Sequence, residues 1–189
     1  MSNLDTLQKL SIMSVDEIER QLAEDPSALN LGGLVGEEKE SDLIESARAP
    51  KARGPREAVV LLPGIMGSLL LSVRGVTTML WINPLLFLQG QGGYLQVGPG
   101  GSVGVPEVDC VPFSLEKMTY LKIALELRRN FQVYEFPYDW RLPIEVNADV
   151  LRESIERWSA GNPNQQFTLV AHSMGGLVSR SYMSRHLAE

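Results

Sequence analysis

Apolar residues recur at helical spacing in some stretches of the chain, run together in others and thin out in two more. Val15, Ile18 and Leu22 share one helical face, in a segment that Ser14 and Glu17 would cap reciprocally and Asp25-Pro26 would stop. Residues 1–31 therefore read as a small helical extension. From 32 to 56 large apolar residues are sparse among Gly, Glu, Lys, Ser and Arg, and the stretch ends in ARAPKARGPR, which predicts an exposed linker. At Glu57 the pattern changes to EAVVLLP, a continuous apolar run suited to a strand buried on both faces. Glycines at 90, 92, 93, 98, 100, 101 and 104 then make 89–112 a long surface loop, a kind that often serves as a lid or binding loop.

Helical spacing returns from Ser114 to Asn130, with Met118, Leu121, Leu125 and Leu127 as the inward residues. Phe131–Phe136 reads as a strand stopped by Pro137. Pro143–Ala160 reads as a helix with Val146, Val150, Ile155 and Trp158 along one face. The strand QFTLVA follows, then a helix from Met174 to Ala188 with Leu177, Val178, Tyr182 and Met183 available for packing. Strands alternating with helices of this length predict an α/β architecture, a parallel sheet with helices on its faces.

A chain of 189 residues, 44% hydrophobic, suits one domain with a sizeable core. Lys plus Arg total 17 against 23 Asp plus Glu, so a formal charge of -6 argues against nucleic acid as a partner. The single cysteine, Cys110, rules out an intramolecular disulfide and a thiolate-rich metal site. Asp5 precedes any Lys or Arg and no apolar stretch follows a basic start, so no secretory signal is read and the expectation is a cytoplasmic protein. The apolar stretch Met79–Leu88 is broken by Asn83 and Pro84 and is too short to span a bilayer, so no transmembrane segment is expected.

The chemistry concentrates in FTLVAHSMGGLVSR. Ser173 falls directly after a strand and directly before a helix, with small residues two before (Ala171) and two after (Gly175). So sharp a turn strains the backbone and leaves no room for bulk at those flanking positions, which is why the pattern marks the nucleophile turn of α/β-hydrolases. Such a turn presents the serine hydroxyl at the N-terminus of the next helix, whose free N–H groups favour developing negative charge. The Met174 N–H is the expected first oxyanion donor. The second should come from the loop LLPGIMGS after the first strand, with the Ile65 N–H as candidate, and one such donor is typically worth about 3–4 kcal/mol.

With AHSMGGLV, VVLLPGIMGS and FPYDWRLP together, the sequence resembles the lecithin:cholesterol acyltransferase family and its phospholipase A2 and phospholipid:diacylglycerol acyltransferase relatives. PYDWR discriminates this family from α/β-hydrolases at large. The resemblance covers roughly 57–189. It implies an α/β-hydrolase domain and a serine acyltransferase or lipase acting on lipid or other acyl esters through an acyl-enzyme at Ser173. Ile65 and Met174 would be the oxyanion donors, and no metal or organic cofactor is implied. A lid-like segment spans 76–112, and within MLWINPLLFL Trp81 is expected to touch the acyl chain. Secreted animal relatives close this lid with a disulfide that the single Cys110 cannot form.

A serine nucleophile needs a base, and in the family Asp and then His follow the serine. Sixteen residues follow here. His186 lies thirteen residues along the helix, about 20 Å away at helical rise, which is too far for the base. His172 is read as structural. Asp139 precedes the serine and is read as satisfying its loop or pairing with Arg141. The expectation is an N-terminal portion of a longer enzyme, truncated after the turn's helix, with an open sheet edge inviting self-association. The alternative is a non-catalytic interaction module on a degenerate hydrolase scaffold.

Overall fold

The computed structural model describes residues 3–73, 78–81, 88–90, 93, 95–98, 110–160, 162 and 164–187. Much of the expected lid, at 76–77, 82–87, 91–92, 94 and 99–109, lies outside the described residues. In chain order the helices are α1 (Asn3–Ile12), α2 (Val15–Glu24), α3 (Gly32–Val35), α4 (Glu37–Arg48), α5 (Lys117–Arg128), α6 (Ile144–Trp158) and α7 (Met174–His186). The strands are β1 (Ala58–Leu62), β2 (Ser68–Ser72), β3 (Thr78–Trp81), β4 (Cys110–Leu115), β5 (Gln132–Glu135) and β6 (Phe167–Ala171). Two compact units emerge, Met1–Val59 with Glu116–Tyr134 and Val60–Leu115 with Glu135–Glu189.

In the first unit the expected capping box forms: Ser14 Oγ accepts from Glu17 N–H, and Ser14 N–H donates to Glu17 Oε2 at 2.8 Å. Val15, Ile18 and Leu22 are buried, and α2 contacts both α4 and α5. The stretch 32–56 is not all linker. Its middle is α4, entered through Gly36 at φ 88°, with Glu37, Glu38 and Glu40 in the first turn and Arg48 in the last, charges that suit the helix dipole. Only Leu43, Ser46 and Ala47 are buried on α4, a stripe too thin to announce a helix by periodicity. Helix α5 starts later than its apolar spacing predicts, because β4 takes Ser114 and Leu115 and the Glu116 carboxylate caps the helix, accepting from Met118 and Thr119 N–H at 2.8 Å each. Lys117, Tyr120, Leu121, Ala124 and Leu125 face inward, while Met118 is exposed.

The central sheet has the order β5-β1-β6 and is flanked by helices. Gln132 N–H donates to Glu57 O and Phe136 N–H to Leu61 O, equal steps in the same direction along both strands, the signature of parallel pairing. All five β1 side chains are buried, as its continuous apolar run predicts. A second, antiparallel sheet has the order β3-β2-β4, with irregular register after Leu69 and Leu70 in β2. The expected loop 89–112 thus ends in strand at Cys110–Pro112.

Helices α6 and α7 pack together in the second unit, α6 on a face one step from the one its apolar residues suggest and α7 with Val178 and Tyr182 inward as expected. Asn147, Ala148, Leu151 and Ser154 are buried on α6, leaving Val146 and Val150 exposed. Burying Asn147 is tolerable because its side-chain amide reaches three carbonyls, the shortest contact being Asp139 O at 2.9 Å. On α7 the buried stripe is Gly175, Val178, Ser179 and Tyr182, with Leu177 and Met183 exposed.

Candidate active site at the serine turn

β6 delivers the chain to the turn and α7 carries it away. Between them His172 N–H donates to Leu62 O at 3.0 Å, pinning the turn to the end of β1. Ser173 has φ 50° and ψ −118°, a conformation that L-residues avoid and that typically costs about 1–3 kcal/mol. Gly175 N–H donates to His172 O and Gly176 N–H to Ser173 O, both at 2.9 Å, closing the turn into the helix. Although Ser173 is the N-cap of α7, its side chain makes no capping bond, and the residue is exposed. The hydroxyl is thus displayed.

Glycine at 175 is a steric necessity. A Cβ there would stand 2.6 Å from Pro63 O and 2.9 Å from Leu62 O, inside any tolerable contact. Gly176, by contrast, borders open space, with nothing within 4 Å of a Cβ among the described residues. The contacts at Gly175 bring the start of α7 against the Leu62–Pro63 backbone, so the 63–67 loop begins beside the serine turn.

That loop is a tight turn closed by Gly67 N–H on Gly64 O at 3.0 Å, with Met66 at φ 62°. A positive φ at the third position is the type II pattern, which ordinarily selects glycine. Ile65 and Met66 are exposed. Neither the Ile65 nor the Met174 N–H has an acceptor among the described residues. The loop is tied down from outside: Tyr138 Oη donates to Pro63 O at 2.8 Å, Trp81 Nε1 to Met66 O at 2.9 Å, and Trp140 Nε1 to Ser68 O at 3.1 Å. Ser68 Oγ accepts from Tyr138 N–H at 3.0 Å.

Asp139 is paired with Arg141, Nε–Oδ1 at 2.8 Å and Nη2–Oδ2 at 2.6 Å, with both side chains 4% exposed. Arg141 N–H also donates to Asp139 Oδ1, so the carboxylate both satisfies its loop and holds the guanidinium. Among the described residues Arg141 Nη1 is buried with no hydrogen-bond partner. Near this pair Cys110 is a buried free thiol; burial pushes it up to about 11, Arg141 opposing and Asp139 reinforcing the shift.

Neither histidine bonds Ser173, whose hydroxyl has no hydrogen-bond partner among the described residues. His186 Nε2 instead meets Asp149 Oδ1 at 2.8 Å, beside Arg185, a contact joining α7 to α6. Among the described residues no three His, Cys, Asp or Glu side chains converge to hold a metal ion, and no helix is long and apolar enough to cross a membrane. Sequence reasoning missed the tethers from Tyr138 and Trp140. The only signal was PYDWR as a family mark, because the carbonyls these residues hold lie some seventy residues upstream.

Residues 115–189 match the lecithin:cholesterol acyltransferase family, in agreement with the resemblance carried by the serine turn and PYDWR. An uncharacterized protein of Saccharomyces cerevisiae, YJR098C, is 35% identical over 60 residues, which are 31% of this chain and 9% of the yeast protein. The matched segment thus spans about a tenth of that relative's length.

Proposed function

We propose that this chain supplies the nucleophile and oxyanion-binding part of a serine-dependent acyltransferase or lipase acting on lipid esters. The observation that carries the reading is Ser173 itself: a non-glycine residue at φ 50°, exposed between β6 and α7, its hydroxyl and the Met174 N–H beside it without a hydrogen-bond partner among the described residues. Strain of this kind persists only where surrounding structure enforces it, and here Leu62 O and the Gly175 contact do so.

In the proposed reaction Ser173 Oγ bonds to the ester carbonyl carbon and its proton passes to a general base. The carbonyl oxygen becomes an oxyanion facing the Met174 and Ile65 N–H groups, and the C–O bond to the leaving alcohol breaks as that oxygen takes the proton. Water or a second alcohol then attacks the acyl-serine by the reverse sequence. We assign the base to a group outside these 189 residues, since His186 is engaged by Asp149 at the far end of α7. We assign the acyl-chain contact to Trp81, half-buried with its indole nitrogen turned to Met66 O. A second reading, an interaction module that kept the scaffold, draws on the absence of a hydrogen-bonded base at the hydroxyl among the described residues.

Treatment with a fluorophosphonate probe and mapping of the modified peptide separates the two. The expected result is a phosphonyl group on Ser173 and no labelling of Ser173→Ala. With the base assigned outside this chain the labelling is slow, and wild-type protein whose Ser173 reacts no faster folded than unfolded in denaturant overturns the enzymatic reading.

A further inference from the structure

We propose that Trp81, Tyr138 and Trp140 are positioning residues that aim the Ile65 N–H by holding the carbonyls around it. The inference rests on the reading of Ser173 as nucleophile and deepens it. A donor is useful only if its direction is set before the oxyanion forms, and a misplacement of about 1 Å can cost on the order of 100-fold in rate. Packing cannot set that direction here, because Ile65 and Met66 are exposed at 58% and 47%. The backbone would not settle there unaided either, since Met66 is held at a positive φ.

Hydrogen bonds supply the constraint. Peptide groups are planar and trans, so fixing a carbonyl fixes the N–H of the same plane, pointing the opposite way. Gly64 O accepts from Gly67 N–H inside the turn, so the Ile65 N–H, which shares that plane, is directed out of it. The plane before it carries Pro63 O, which receives the Tyr138 hydroxyl. The plane between Met66 and Gly67 carries Met66 O, which receives the Trp81 indole. Trp140 Nε1 and the Tyr138 N–H close the far end of the loop on Ser68. Tyr138 and Ser68 are fully buried, where hydrogen bonds are electrostatically strong and costly to break. Trp81 and Trp140 brace each other edge to face, ring centroids 5.4 Å apart. Each of the three side chains spends its single polar hydrogen on this loop.

Trp81→Phe and Tyr138→Phe delete those hydrogens while keeping a ring in place. The readout is the second-order rate of fluorophosphonate labelling at Ser173, together with the final labelled fraction. Each variant should label to completion at a rate lower by about 10- to 100-fold. Labelling at the wild-type rate overturns the proposal. So does a reduced labelled fraction that reacts at the wild-type rate, the mark of residues that matter only for folding. If Tyr138→Phe, fully buried, does not fold, half-exposed Trp81→Phe carries the test alone. Labelling that persists in Ser173→Ala, mapped to another residue, overturns the nucleophile reading instead and is distinguished by that map.

Discussion

Gly175 and Cys110 show how much a single position can dictate. A Cβ at 175 would meet two backbone oxygens rather than a side chain that could rotate away, so Gly175→Ala must displace either α7 or the end of β1. The expected cost is about 1–3 kcal/mol by analogy with overpacked sites. Denaturant unfolding measures it, and an unchanged midpoint would show that the turn has slack the geometry does not reveal. Cys110 presents the opposite case, a reactive group silenced by its surroundings. Burial raises its thiol to about 11 from an ordinary 9.0, so at pH 8 its thiolate population is about 100-fold below that of an unperturbed cysteine. Alkylation by iodoacetamide should be slower in the folded protein by at least that factor, and equal rates before and after unfolding would contradict the burial. The linked stability has a defined sign. The folded state holds this proton more tightly, so the contribution is full below about pH 9 and is lost as pH rises towards 11.

The elements form for local reasons that single substitutions can probe. The start of α2 depends on the reciprocal bonds between Ser14 and Glu17, and Ser14→Ala should lower the stability of its unit by about 1 kcal/mol, read from thermal or urea unfolding. A shift within error would mean that packing of Ile18 and Leu22 alone holds the helix. Glu17 adds a pH dependence to the same cap. Its bond from the Ser14 backbone N–H, then that from the Ser14 hydroxyl, hold its carboxyl below the usual 4.5. Support from the cap is therefore present above that value and disappears as pH falls below it. In Glu17→Gln that part of the acid sensitivity should vanish from an unfolding profile taken between pH 6 and 3. Helix α6 is instructive in another way: its two exposed valines and buried Asn147 reverse the usual preference, because three nearby carbonyls satisfy the amide.

Over the whole molecule, β6 lies at the edge of the β5-β1-β6 order among the described strands, with Phe167, Leu169 and Val170 only half-buried. An edge of this kind invites pairing with another chain, opposed here by a net charge of -6 that salt would screen. Sedimentation velocity should therefore show concentration-dependent association that grows with salt and is suppressed by Thr168→Lys on the exposed side of β6. A monomer at all salt concentrations would show that the edge is already protected. The sequence by itself determined which segments could be strands and where the turn had to be. EAVVLLP becomes β1, QFTLVA becomes β6, and the small residues around Ser173 mark a strand-to-helix corner, because these signals arise between near neighbours in the chain. Helix α4 is not legible since its buried stripe is three residues wide, and the inward face of α6 is not since it is chosen by what packs against it, whereas Val178 and Tyr182 of α7 are buried as their spacing predicts. Only the tertiary structure decided that Tyr138, Trp140 and Trp81 grip carbonyls of the loop at 63–68. Hydrogen bonds to distant backbone leave no periodicity in a sequence, and their partners become neighbours only when the strands that carry them have assembled.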